Sequence, residues 1–201
     1  QAVNGIGSWC AIVALWGYAA YRFDAGPGGV ALLGLAWALP PVALGAFAGV
    51  PIDRFGPKKV LMTADVLAAV VSLSFLLAGS FGVLVALAAL HGVTSSFSDP
   101  AFRALPPRLV RDDQLVSANA ILGSAAQSAI AFGPLLAAVS IATFGIEGAF
   151  VIDAATYIVG VLVLLPFTIG PVSASEATGR VSDQVREGFR VVRRRPRLRL
   201  L

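Results

Sequence analysis

Five stretches of this chain carry no formal charge: residues 1–21, 25–52, 66–98, 114–146 and 154–175. A helix crosses the hydrocarbon core of a bilayer with about 20 apolar residues, so each stretch is long enough for one crossing. Two exceed one crossing. The stretch 66–98 is interrupted by Gly79-Ser80-Phe81-Gly82, and 114–146 runs into Phe144-Gly145-Ile146-Glu147-Gly148. Both are turn compositions.

The pattern predicts six membrane-spanning helices over about residues 3–21, 29–51, 59–78, 82–103, 117–142 and 149–168. The runs are apolar on every face and show no strand-length alternation, which disfavours a transmembrane barrel. Composition agrees, with 57% hydrophobic and 13% charged residues. The expected fold class is an all-α membrane protein, with a bundle over 1–169 and a cytosolic segment over 170–201.

Fourteen of the fifteen lysines and arginines follow the even-numbered segments: Arg54, Lys58 and Lys59, then Arg103, Arg108 and Arg111, then eight arginines from Arg180 to Arg199. Arg22 alone lies on the other side. The positive-inside bias then puts both ends of the chain in the cytosol. This excess also accounts for a pI near 9.8, through loops facing anionic headgroups, without nucleic acid as a partner.

Residues 170–181 read as a linker, and a short basic helix follows in which Val181, Val185, Phe189 and Val192 share a face. Such a helix would rest on the inner membrane surface, N-capped by Ser182 and ended by Pro196. The closing RLRLL reads as the approach to another apolar segment. The first segment lacks a preceding basic residue and a small-residue cleavage site, so a signal peptide is not expected and an N-terminal piece is expected to be missing.

The densest charge lies in GVPIDRFGPKK, residues 49–59. Gly49 offers a flat helix surface to a close neighbour, and Gly56 allows a sharp turn at positive φ. Asp53 and Arg54 at a helix end can make contacts of about 1 kcal/mol with an opposite charge or a helix terminus, weak enough to break and re-form. Lys58 and Lys59 can reach lipid phosphates.

The pattern GxxxDRxGxKK, between segments two and three of a six-helix array, resembles the most widespread motif of the major facilitator superfamily of secondary transporters. The resemblance implies half of that fold, built as two three-helix repeats, with a second six-helix half missing. It makes the loop a cytosolic latch whose partner belongs to that half. The runs SDPAFRALPPRLV (98–110) and LVSAN (115–119) are similar to a bacterial branch that exports drugs and siderophores such as enterobactin. Residues 129–138 are similar to the GxxxGPxxGG pattern of antiporters, centred on Gly133 and Pro134, with alanines replacing the outer glycines. Small residues there permit close contact and a bend.

His91, Thr94, Ser95 and Ser98 stand at i, i+3, i+4 and i+7, on one helical face. They either line a cavity or, for the hydroxyls, bond their own backbone carbonyls. His91 is the chain's one histidine, a residue type suited to proton-driven carriers, although a lone histidine is more often a packed hydrogen-bonder. Asp99 and Arg103 are spaced for a salt bridge at the cytosolic end of segment four. Asp65 and Asp153 fall inside segments three and six, where an ionised carboxylate is costly. They are candidates to couple proton movement to substrate, or to hydrogen-bond between helices.

One cysteine, one histidine and no HExxH or phosphate-loop pattern give no expectation of an enzyme, a metal or a cofactor. The expected function is proton-coupled efflux of small amphipathic molecules across a bacterial plasma membrane. The alternatives are a non-transporting scaffold or sensor of the same fold, and a facilitator importing a small solute.

Overall fold

A computed structural model of the chain describes residues 2–167; the expected linker and basic helix over 170–201 lie outside the described residues. Among the described residues every regular element is helical. Five helices are long and apolar enough to cross a membrane.

Helix α1 (Ala2–Arg22) is followed by α2 (Pro27–Leu44), which begins on a proline whose missing N–H costs nothing at a first turn. The expected span 29–51 is not one continuous helix. Pro40 and Pro41 remove two backbone donors near the end of α2, and the chain tightens into a 3₁₀ turn at Gly45–Phe47 before α3 (Gly49–Phe55). Helix α4 (Pro57–Ser74) closes in a 3₁₀ turn at Phe75–Leu77. Helix α5 (Phe81–Arg103) starts at Ser80, whose hydroxyl accepts from the Val83 N–H at 3.3 Å as an N-cap. Short α6 (Pro106–Leu109) leads to α7 (Leu115–Leu164).

Expected segments five and six both lie in α7, which breaks at Gly145 with φ 75° and ψ 175°. Contacts with α1 show that the chain reverses there. On the first limb, Ala129 faces Gly5 and Gly133 faces Trp9; on the second, Gly160 faces Asn4 and Ile146 faces Gly17. The first limb therefore runs parallel to α1 and the second antiparallel to it.

The core forms around α1, where Cys10, Ala11, Ala14, Leu15 and Tyr18 pack with Phe75 of the turn after α4 and Phe150 of α7. Small side chains, Cys10, Ala11, Ala14 and Ala19, dominate the α1 face of this core, which brings backbones close where lipid supplies no hydrophobic drive. Conversely, Val42, Leu77 and Val116 are each more than 80% exposed. Such a surface is stable against acyl chains, and the protein is a multi-pass membrane protein.

Candidate functional site

Four helices place polar side chains in the bundle interior. Asp153, on the second limb of α7, is fully buried. The Ser72 hydroxyl of α4 donates to its Oδ2 at 2.5 Å. His91 of α5, also fully buried, holds Nε2 3.5 Å from the same oxygen. The Tyr157 hydroxyl, one turn along α7 from Asp153, lies 3.5 Å from His91 Nε2 and 3.1 Å from Ser8 Oγ of α1. Ser72, His91, Tyr157 and Ser8, from four helices, thus form one polar cluster with Asp153.

Packing fixes this cluster. The Trp37 indole of α2 stacks on His91 with ring centres 4.0 Å apart and planes 20° apart. A Cβ on Gly7 would come within 3.0 Å of Asp153 Oδ1, so only a glycine lets α1 lie over the carboxylate. Asp153 Oδ1 and His91 Nδ1 are buried without a hydrogen-bond partner. Buried polar atoms are seldom left so, because each forgoes the hydration it had in water.

A second carboxylate, Asp65 of α4, is buried and accepts from Asn4 Nδ2 of α1 at 3.4 Å. Asp65, Ser8 and Tyr157 border a polar cavity of about 350 Å³, with Ser95, Ser98 and Asp99 of α5 on its wall. Nearer the α7 N-terminus a larger cavity of about 750 Å³ is bordered by Asp99, Arg103 and Asn119.

The expected polar stripe divides. Ser95 and Ser98 border the cavity, whereas His91 is enclosed in the core and Thr94 borders an apolar groove between α4 and α5. Residues at i, i+3, i+4 and i+7 spread over about 100° of a helix, wide enough to meet more than one neighbour. Thr94 and Ser95 also donate to the His91 carbonyl oxygen at 2.7 and 3.2 Å, so backbone bonding and cavity lining coexist at Ser95.

The loop motif occupies the α3–α4 junction. Gly56 has φ 85° and ψ 149°, a region essentially closed to side chains, and its N–H closes α3 on the Ile52 carbonyl at 2.9 Å. Gly49 is exposed, with nothing within 4 Å of where a Cβ would stand. Arg54 lies over the Phe55 ring at 5.3 Å, and Asp53 is half-buried. Lys58 departs from the expected reach to lipid phosphate: its ammonium donates to the carbonyl oxygens of Leu165 and Phe167 at 2.9 and 2.6 Å. The end of α7 leaves those carbonyls unpaired and close by. Lys59 stays exposed.

Gly133 is buried against the Trp9 side chain, while Pro134 beside it is exposed. Sequence reasoning passed over Ser8, Ser72, Tyr157, Asn4 and Trp37. Four of these are polar residues inside otherwise uncharged runs, and that position was the available signal.

Residues 1–201 match the family model described as Major Facilitator Superfamily. The chain is also 27% identical over 203 residues to a protein of Bacillus subtilis (strain 168) described as "Uncharacterized MFS-type transporter YfiS". That alignment covers 98% of this chain and 48% of the relative, so the chain spans about half the length of the curated relative it matches.

Proposed function

The chain belongs to the major facilitator superfamily, and from that membership we propose that it forms the first half of a proton-coupled exporter of small amphipathic molecules working by alternating access. The observation that carries this reading is the pairing of two features. A buried carboxylate, Asp153, is held inside the membrane by side chains from other helices, and a charged hinge, GxxxDRxGxKK, joins α3 to α4. Intramembrane carboxylates are costly to keep and mark ion or proton pathways. Small charged contacts at a helix junction can be exchanged as two halves rock.

Substrate would bind near the bilayer midplane, between this bundle and a second six-helix half, with the cavity bordered by Ser95, Ser98 and Tyr157 as this half's contribution. Resemblance of the 98–110 and 129–138 runs to exporter and antiporter sequences favours efflux. The distribution of basic residues favours both ends of the chain lying in the cytosol, and the arginine-rich composition, 13 Arg to 2 Lys, favours a bacterial plasma membrane.

Reconstitution of the full-length protein tests the reading. With ethidium as probe, an interior-acid pH gradient should drive accumulation into proteoliposomes, and a proton ionophore should abolish it. Equal accumulation with and without the gradient removes the coupling, and movement of no solute returns the fold to the scaffold class.

A further inference from the structure

We propose that the His91–Asp153 pair is a proton-holding site, filled from the polar cavity through Ser8 and Tyr157. This inference rests on the reading of the protein as a proton-coupled carrier and assigns that proton a place and a path.

The argument begins with charge balance. Both side chains are fully buried, and every lysine and arginine among the described residues lies at a helix end or in a connection, outside the membrane interior. The titratable groups acting on the pair are Cys10 of α1 and Tyr157 of α7, and Tyr157 in turn feels Asp65 of α4 and Asp99 of α5. Helix α2 presents the Trp37 ring. None of these supplies a positive charge. With one proton the pair is neutral overall; without it, a single negative charge is stranded in apolar surroundings. Occupancy by one proton therefore changes the stability of this packing arrangement, as a coupling site requires.

The second step is access. Among the described residues, Tyr157 and Ser8 give the pair a hydroxyl link to the cavity: both border it, their oxygens are 3.1 Å apart, and Tyr157 reaches His91 Nε2 at 3.5 Å. In the transfer, the Tyr157 O–H bond breaks as the Nε2–H bond forms, and the tyrosine oxygen takes a proton from Ser8, which is replenished from the cavity. Nε2 then releases its proton to Asp153 Oδ2, 3.5 Å away. No charge is left on Tyr157 or Ser8. The 3.5 Å contacts are long, as such contacts are before the shared proton tightens them. The unpartnered Nδ1 and Oδ1 atoms mean that no further hydrogen bond has to break for that small adjustment within the packed cluster.

Infrared difference spectroscopy of the full-length protein in lipid, after a rapid pH drop, reads the site without any substrate. A protonated-carboxyl band should appear and be missing in Asp153→Asn. In Tyr157→Phe, which keeps the ring and removes the hydroxyl, the band should reach the same amplitude at least about tenfold more slowly, the equivalent of losing one hydrogen bond in the transfer barrier. An Asp153→Asn spectrum identical to the unsubstituted protein's overturns the site, and unchanged filling in Tyr157→Phe overturns the path. Proton-driven flux that survives Asp153→Asn sinks the inference while leaving the transporter reading intact. Solute flux indifferent to pH, with Asp153 still filling through Tyr157, sinks the coupling and leaves the site standing.

Discussion

The Lys58 ammonium donates to the Leu165 carbonyl oxygen at 2.9 Å, joining the start of α4 to the end of α7 across 107 residues of sequence. A helix C-terminus carries unpaired carbonyls and partial negative charge, so a cation there satisfies both. The loop motif is thereby fastened to the C-terminal end of α7. A hinge that moves at α3–α4 would pull on that helix end.

Lys58→Met should loosen this fastening. An exposed charge–terminus contact contributes about 1 kcal/mol or less, so amide exchange over residues 162–167 should quicken up to about fivefold. Lys59→Met, whose side chain is exposed, is the control and should leave those amides unchanged. Matching exchange in the two variants would show that the Lys58 bonds contribute nothing.

The spans were legible because desolvation confines charge to helix ends: Arg22, Lys58 and Arg103 stand at ends in sequence and structure alike. Gly56 was legible too, since a glycine between charged helix ends has few other uses. The Ser72–Asp153 bond was not, because it joins residues 81 apart and depends on how α4 and α7 are rotated against each other. Rotation is set by packing of small residues such as Gly7 over Asp153, and helices apolar on all faces carry no amphipathic stripe to announce it. For the same reason His91 was placed on the right helix without its partner Asp153. The break in segment two fell just after Pro40-Pro41, within the region those prolines weaken.

Gly92 sets the spacing of α2 and α5. A Cβ there would press on the Trp37 carbonyl oxygen and on the Pro40 ring, and backbone cannot yield as a flexible side chain can. Gly92→Ala should cost about 1–3 kcal/mol, as overpacking does in a close-packed interior. Thermal unfolding in detergent should show it, with Gly34→Ala, where a Cβ would meet nothing within 4 Å, as the comparison. Equal melting of the two variants would mean that α2 and α5 adjust freely.

Gly56→Ala tests the junction itself. At φ 85° and ψ 149° any side chain strains the backbone by about 1–3 kcal/mol. The α3–α4 turn should distort and lower the melting temperature, whereas Gly49→Ala, exposed and uncrowded, should fold as well as the parent. If Gly49→Ala nevertheless slows flux through the full-length protein, its open face is where another helix approaches.

Asp53 makes no ion pair with another described residue and is half-buried at the end of α3, so its charge contributes little to this bundle. In the proposed latch it would act only when a second half docks, through contacts worth about 1 kcal/mol that would be made and broken each cycle. Asp53→Asn preserves size and removes the charge, turning one acceptor oxygen into an NH2 donor. In the full-length protein it should therefore leave expression, melting temperature and substrate affinity near their parental values and reduce turnover by about fivefold or more. Proteoliposome flux measured beside equilibrium binding separates the two quantities. Parental turnover in that variant would remove the latch from the mechanism, and a loss of binding equal to the loss of flux would move Asp53 from the hinge to the substrate site.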